Sequence, residues 1–203
     1  MLDRAATELI KPLVTKLARL TLGLRLSADT LTLIGFGIGL IAAACIVFHQ
    51  YWAGLALILL SRLFDALDGA VARLTKTTDR GGFLDICLDF LFYAAIPLAF
   101  ALANPMLNAL PAAVLLASFL GSGTSFLAFA ALAAKQNLNA TAASNKPNKS
   151  FYFLGGLTEA TETLICFCAM CLWPQAFPLF AYGFATLCLI TLLTRLYWGW
   201  TRL

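Results

Sequence analysis

The chain has 203 residues, of which 61% are hydrophobic and 12% are charged, and its formal net charge is +4. A soluble domain usually contains about 45–50% apolar and about 25% charged residues, so a water-soluble globule is excluded. Intrinsic disorder is excluded as well, because a disordered chain is poor in hydrophobic residues. The composition predicts an integral membrane protein, whose spans of about 20 residues each leave no length for a separate soluble domain.

The first predicted element is an amphipathic helix over residues 1–22. Such a helix is expected to lie in the headgroup plane of the bilayer. Lys16 falls near the apolar stripe, where it either snorkels to the headgroups or turns toward the rest of the protein. The apolar residues that recur at helical spacing are Leu2, Ala6, Leu9, Leu13, Leu17 and Leu20.

Six apolar stretches follow, and each is predicted to be a membrane-spanning helix. Thirteen of the fourteen Lys and Arg residues lie beside alternate ends of these stretches. The positive-inside rule then places both termini in the cytoplasm. The net positive charge is thus explained by the orientation of the protein in the membrane and does not indicate a nucleic-acid-binding surface. The whole chain, 1–203, is predicted to be one domain with a six-helix bundle over 28–200. The six stretches cover residues 30–50, 52–73, 82–103, 108–134, 151–173 and 178–198.

Several ionisable residues lie within these stretches or at their ends, where each costs about 2.5–3.5 kcal/mol if it faces lipid. They must therefore face one another, water or a ligand. One ion pair, such as Arg62 with Asp65 or with a glutamate of the fifth stretch, could be purely structural. Four aspartates at regular helical spacing need another explanation. The full set is Arg62, Asp65, Asp68, Asp85, Asp89, Glu159 and Glu162.

The four aspartates form two pairs on consecutive predicted spans. Asp65 and Asp68 are three residues apart and Asp85 and Asp89 are four apart, so each pair shares one helix face. Packing the two spans as a hairpin would gather four carboxylates near the cytoplasmic surface, where divalent cations would have to neutralise them. All-oxygen ligands favour Mg²⁺ or Mn²⁺, and two such ions about 4 Å apart clamp displacement at phosphorus. The pattern predicts phosphoryl or phosphatidyl transfer.

Small and basic residues accompany the aspartates. Gly69 and Ala72 leave room on the site-facing side, Arg73 supplies a cation for a phosphate, and Gly81 opens a helix whose first amides favour anions. Gly69 could instead serve only close helix packing. That packing role is the one expected for two glycines of the first span, Gly35 and Gly39.

A pattern that resembles the signature of the CDP-alcohol phosphotransferase (CDP-alcohol phosphatidyltransferase) family runs over residues 65–89. It reads Asp65-Ala-Leu-Asp68-Gly69-Ala-Val-Ala72-Arg73, seven residues, Gly81, three residues, Asp85, three residues, Asp89. The family usually has eight residues between the arginine and the glycine, and taking Gly82 would restore eight. We assign Gly81, because a loop absorbs a deletion whereas the helical phase from glycine to aspartate does not.

The resemblance implies phospholipid biosynthesis by transfer of a substituted phosphoryl group from a CDP-alcohol, in bacteria most often CDP-diacylglycerol, to a hydroxyl acceptor, with release of CMP. It implies two Mg²⁺ or Mn²⁺ ions held by Asp65, Asp68, Asp85 and Asp89, with Asp89 also the general base. It further implies a homodimer in the inner membrane, with its active site facing the cytoplasm. The residues it assigns to the CDP-alcohol are Asp29, Thr32, Gly69, Ala72, Arg73, Thr78 and Gly81, although a helix cap would explain Asp29 equally well.

The acceptor alcohol is left open by the sequence. Lys135, Lys146 and Lys149 are candidates for an acceptor phosphate, although topology alone already requires cations there. Glu159 and Glu162 share a face of the fifth span and either bind acceptor hydroxyls or pair with Arg62.

Two other classes of function are compatible with acids inside the membrane. An ion- or proton-coupled transporter would use them along its pathway, but no inverted repeat of short or broken helices is apparent and the acids cluster at one face. A structural assembly protein would become more stable, without loss of function, when the four aspartates are neutralised.

Overall fold

The computed structural model of the chain describes residues 2–23, 26–135 and 158–202. Within these residues every regular element is helical, so the all-α prediction is confirmed for them. A 3-10 turn at Pro174–Ala176 precedes the last helix. The α-helices are α1 (Leu2–Gly23), α2 (Ala28–Val47), α3 (Tyr51–Leu74), α4 (Asp79–Ala103), α5 (Pro105–Lys135), α6 (Ala160–Leu172) and α7 (Phe177–Arg202).

The N-terminal helix α1 packs beside α3. Its Val14 and Ala18 are buried in a small apolar cluster with Val71 of α3. Leu13 and Leu20 are exposed on another side of α1. The amphipathic helix predicted for residues 1–22 is therefore helical over its described part, and its position in the headgroup plane stays a prediction.

Four of the described helices, α2, α4, α5 and α7, are long and apolar enough to cross a membrane. Helix α3 has sufficient length, at 24 residues, but it contains two aspartates and two arginines that set it apart from an ordinary apolar span. Helix α6 has 13 residues, and the fifth predicted span begins at residue 151, outside the described residues. That α3 and α6 each cross the membrane, and hence that there are six spans, stays a prediction.

Large apolar side chains cover much of the outer surface of the bundle. A water-soluble monomer rarely exposes apolar area on this scale, whereas a lipid-facing surface requires it. Examples on the four apolar helices are Leu33, Leu98, Leu110, Leu179 and Leu193.

Helix α2 is the element against which both aspartate-bearing helices pack, because two glycines allow a close approach. A Cβ atom on Gly35 would lie 3.0 Å from the Cβ of Phe64 in α3. A Cβ atom on Gly39 would lie 2.6 Å from the ring of Phe92 in α4. The packing role expected of both glycines is confirmed. The expected hairpin is wrong in one respect, since α3 and α4 each pack far more on the glycine face of α2 than on one another.

Replacing Gly39 with alanine should destabilise this packing, whereas the same change at Gly37 should not. A methyl group at position 39 would fall 2.6 Å from the Phe92 ring and 3.1 Å from Ser61 Oγ, while one at position 37 meets no atom within 4 Å. Overpacking of this kind costs about 1–3 kcal/mol. Thermal unfolding in detergent should give a lower Tm for Gly39→Ala than for Gly37→Ala, and equal values would contradict the close contact.

Candidate active site

Three carboxylates on two helices form the first part of the site. Asp65 and Asp68 belong to α3 and Asp85 to α4, and one oxygen atom from each lies within 4.8 Å of the others. The three-residue spacing in α3 puts Asp65 and Asp68 on one helix face. Sets of carboxylate oxygens suit hard divalent cations such as Mg²⁺ and Mn²⁺. The three side chains therefore have the chemistry of a divalent-cation site.

Asp68 is the buried member of this group. The residue is 6% exposed, and its Oδ2 atom has no hydrogen-bond partner. A buried carboxylate oxygen without a partner is costly, because it has lost its hydration and gained nothing in return. A cation between the three carboxylates would remove that cost, so the residues present fit a divalent ion.

Asp89 lies outside the three-carboxylate group and is bound to Arg62. Nη1 of Arg62 donates to Oδ1 of Asp89 at 2.6 Å and lies 3.4 Å from Oδ1 of Asp65. Of the two ion pairs left open for Arg62, the one with Asp65 is present, and within the described residues none with a glutamate of the fifth span is found. The sequence did not predict the bond to Asp89, since this bond joins two helices whose relative rotation helical spacing cannot give.

A small cavity lies beside these side chains. It includes Thr32, which was predicted to contact the CDP-alcohol and whose Oγ1 donates to the carbonyl oxygen of Ala28 at 3.0 Å. The cavity thus lies between the acidic residues and the side of α2 that carries Thr32 and Gly35. Its lining residues are Thr32, Gly35, Phe36, Arg62, Asp65, Asp85, Leu88 and Asp89.

Three other residues predicted to contact the CDP-alcohol lie together where α2 and α4 begin. A Cβ atom on Gly81 would be 3.0 Å from both Asp29 Oδ1 and Thr78 Oγ1. Thr78 Oγ1 also accepts a hydrogen bond from the Gly81 amide at 3.0 Å. Gly82 has open space around it, so Gly81 is the glycine that approaches these two side chains. Ser27 caps α2 and Asp29 lies in its first turn, so a capping role does not account for Asp29.

Arg73 lies over Gly69, one turn away on α3. A Cβ atom on Gly69 would be 3.3 Å from Nη1 of Arg73, so the glycine leaves space for the guanidinium. Arg73 is exposed, whereas the neighbouring Ala72 is half-buried. An exposed guanidinium in the last turn of α3 is available to a phosphate.

Two of the residues predicted to bind the acceptor, Glu159 and Glu162, lie at the start of α6. Glu159 and Glu162 form a capping box at the start of α6, in which Oε2 of Glu162 accepts a hydrogen bond from the Glu159 amide at 3.2 Å. The capping box gives both glutamates a structural role at the start of α6, and their predicted binding of the acceptor stays a prediction. Lys146 and Lys149 lie outside the described residues, and Lys135 ends α5 with its side chain outside the described part.

A second polar group, which the sequence did not predict, joins α5, α6 and α7. Arg195 was expected only as a cation at the inner face. Its Nη1 donates to the carbonyl oxygen of Ser122 at 3.1 Å, and it lies within electrostatic reach of Glu159. Thr158 Oγ1 donates to Thr191 Oγ1 at 3.2 Å. Single-helix periodicity could not reveal this group, because its members come from three separate elements.

The helical bundle and the acidic site define a membrane protein with a carboxylate cluster suited to a divalent cation. A family model described as CDP-alcohol phosphatidyltransferase matches residues 25–196. The chain therefore belongs to the CDP-alcohol phosphatidyltransferase family, and it is a phosphatidyltransferase enzyme.

The chain is also similar to individual known proteins. Inner membrane protein YnjF of Escherichia coli (strain K12) is 49% identical over 203 residues, which are 100% of this chain and 97% of the relative. The phosphatidylinositol phosphate synthase PgsA1 of Mycobacterium tuberculosis with CDP-DAG bound matches with a TM-score of 0.66 and 24% identity, over 93% of this chain and 94% of that chain. The structure of the same enzyme in complex with manganese and citrate matches with a TM-score of 0.66 and 24% identity, over 93% of this chain and 89% of that chain. At this identity the two PgsA1 structures establish the fold alone.

Proposed function

We propose that this enzyme transfers the phosphatidyl group of CDP-diacylglycerol, or the corresponding group of a similar CDP-alcohol, to a hydroxyl acceptor and releases CMP. The observation that carries the proposal is the buried Asp68, whose Oδ2 has no partner although it belongs to three carboxylates within 4.8 Å of one another. The substrate class is supported by the PgsA1 structure with CDP-DAG bound.

A divalent cation, Mg²⁺ or Mn²⁺, is part of the proposal. Asp65, Asp68 and Asp85 would hold it, because their oxygens converge and Asp68 needs a positive partner. The manganese in one PgsA1 structure supports divalent metal use in the family. When bound, the ion would offset most of the negative charge of the three carboxylates and polarise phosphate oxygens of the substrate.

Asp89 is proposed as the general base. It follows Asp85 by one turn of α4 and lines the same cavity. Its carboxylate would take the proton of the acceptor hydroxyl while the hydroxyl oxygen forms a bond to the β-phosphorus of the CDP-alcohol. The bond between that phosphorus and the oxygen bridging to the α-phosphate breaks, and CMP leaves with the oxygen. A positioned base contributes about 10²–10⁴-fold to such a step.

The nucleotide is proposed to bind at the ends of α3 and α4. Arg73, resting on Gly69, would face the pyrophosphate as a fixed cation, with the small Ala72 beside it. Asp29, Thr32, Thr78 and Gly81 would contact the CDP part. The first amides of α4 add a favourable field for the phosphate charge.

Alanine at position 81 should weaken binding of the CDP-alcohol. The added methyl group would crowd Asp29 Oδ1 and Thr78 Oγ1, both 3.0 Å away, whereas the same methyl at position 82 meets nothing within 4 Å. Gly81→Ala should raise the KM for CDP-diacylglycerol several-fold, and Gly82→Ala should leave it unchanged. Steady-state kinetics with both variants checks this. An equal effect at both positions would mean that Gly81 does not face the nucleotide.

The placement in the membrane is also proposed. All six predicted spans would cross the inner membrane, with both termini and the acidic site on the cytoplasmic side, because the cations lie at alternate ends of the spans. The enzyme is proposed to act as a homodimer. The hydroxyl acceptor is to be identified experimentally, with Lys135, Lys146 and Lys149 as candidates for binding an acceptor phosphate.

The test is an assay of the purified full-length protein with CDP-diacylglycerol, Mg²⁺ or Mn²⁺ and a panel of hydroxyl acceptors. CMP is quantified and the lipid product is identified by mass spectrometry. We expect CMP and a new lipid in equal amounts with one acceptor of the panel. If folded protein released no CMP and formed no new lipid with any acceptor of the panel, the proposal would be contradicted.

Transport is not favoured as an alternative. The family and the fold are those of phosphatidyltransferases, and three of the carboxylates gather in one group on α3 and α4. A transporter would instead use discontinuous helices near the midplane.

A further inference from the structure

Arg62 is a buried cation in the middle of the acidic site. Its side chain is 13% exposed, and its Nη1 atom lies between Oδ1 of Asp89, at 2.6 Å, and Oδ1 of Asp65, at 3.4 Å. One nitrogen atom of the guanidinium therefore contacts two carboxylates from different helices. The guanidinium therefore supplies a positive charge between Asp65 and Asp89.

The guanidinium is held in place from several sides. Its Cζ atom lies 3.9 Å from the centre of the Phe92 ring and 5.6 Å from that of Tyr93, which is favourable for a desolvated cation. Nη2 donates to Ser61 Oγ at 3.4 Å, and Ser61 Oγ donates in turn to the carbonyl oxygen of Gly35 at 2.7 Å. Fixed contacts of this kind cost less side-chain entropy to maintain than those of a mobile surface arginine.

The formal charges favour a single ion beside this arginine. Without substrate, four ionised carboxylates with Arg62 and one divalent ion leave one negative charge, whereas a second ion would leave one positive charge beside the guanidinium. The oxygens of Asp65, Asp68 and Asp85 converge on one position. The nearest other cation position, between Asp65 and Asp89, is already taken by Nη1.

We propose that Arg62 is a built-in second cation. It holds Asp89 and one oxygen of Asp65, so that this enzyme binds one divalent ion tightly, through Asp65, Asp68 and Asp85, and a further ion only by displacing the guanidinium. The inference rests on the metal use in the proposed function. It differs from the two ions that the family resemblance implies, and it makes Arg62 a positioning residue for Asp89.

Binding of Mn²⁺ to the chelator-treated, full-length protein in detergent tests the inference. Free Mn²⁺ measured by electron paramagnetic resonance should give one tightly bound ion per chain in the wild type, with any further ion at least about tenfold weaker because a unit charge sits within a few ångströms. Arg62→Met keeps an apolar stem on Phe92 but removes the cation, so it should bind two ions of comparable affinity. Arg80→Met removes the same charge from an exposed position of α4 and should still bind one.

A second measurement keeps the test decisive if Arg62→Met does not fold. Two Mn²⁺ ions in one site would show a strong dipolar coupling in the spectrum of the wild type. We expect none at Mn²⁺ concentrations that fill the first position. A coupled pair in the wild type, or the same ion count in Arg62→Met and Arg80→Met, would overturn the inference.

The proposed function can fail separately. A coupled Mn²⁺ pair together with CMP release from CDP-diacylglycerol would overturn the role of Arg62 and leave the transferase intact. Absence of both Mn²⁺ binding and CMP release would overturn the transferase and, with it, this inference.

Discussion

Asparagine at position 68 should abolish CMP release and Mn²⁺ binding together. Asp68 is buried, its Oδ2 has no partner, and its oxygen is one of three within 4.8 Å. An amide cannot supply the negative charge that the ion needs, and loss of metal-ion catalysis removes several kcal/mol of transition-state stabilisation. Since about 1.4 kcal/mol is a factor of ten in rate, kcat should fall by about a thousandfold or more.

Stability distinguishes this effect from unfolding. Replacing a buried carboxylate whose Oδ2 has no partner with a neutral side chain of the same shape should not lower stability. The Tm of Asp68→Asn should therefore be at least that of the metal-free wild type. Asp79→Asn is the matched control, because Asp79 lies in the exposed first turn of α4. This variant should keep both CMP release and Mn²⁺ binding. A normal rate of CMP release by Asp68→Asn would refute the role of the three carboxylates.

Asparagine at position 89 should abolish catalysis but leave the ion in place. The side chain keeps its size and can still accept a hydrogen bond from Arg62, but it cannot take a proton from the acceptor hydroxyl. We expect kcat to fall by about 10²–10⁴-fold. Mn²⁺ binding should be retained, because Asp89 lies outside the group of Asp65, Asp68 and Asp85.

The pair of variants therefore separates two roles that the sequence combined. Asp68→Asn should lose Mn²⁺ and turnover, and Asp89→Asn should lose turnover alone. Equal loss of Mn²⁺ binding in both variants would instead make Asp89 an essential ligand. Unchanged kcat in Asp89→Asn would exclude it as the base.

Much of the site could be predicted because it depends on spacing within single helices. Intervals of three and four residues place Asp65 with Asp68 and Asp85 with Asp89 on common faces. The close packing of α3 and α4 on Gly35 and Gly39 of α2 could likewise be predicted from these small residues. These features are local, and the chain alone determines them.

The contacts between helices could not be predicted in the same way. The bond from Arg62 to Asp89 depends on how α3 and α4 are rotated about α2, and that rotation is set by packing at Gly35 and Gly39. The bond from Arg195 to Ser122 likewise joins α7 to α5. Periodicity within one helix contains no information on either.

Two features with local signals make contacts beyond those that the sequence predicted. Glu159 and Glu162 form a capping box at the start of α6, which was not predicted from the sequence, and their binding of the acceptor stays a prediction. Arg62 and Asp65 are three residues apart and do form an ion pair. The same arginine also binds Asp89, which divides the four predicted metal ligands into three carboxylates and one carboxylate held by a cation.

The most direct test of the central claim is removal and return of the metal during CMP release. Protein stripped with a chelator and supplied with CDP-diacylglycerol and the acceptor found in the panel should release no CMP, and addition of Mg²⁺ or Mn²⁺ should restore release in the wild type but not in Asp68→Asn. Release of CMP at the full rate from the stripped wild-type protein would contradict a metal-dependent phosphatidyl transfer at Asp65, Asp68 and Asp85.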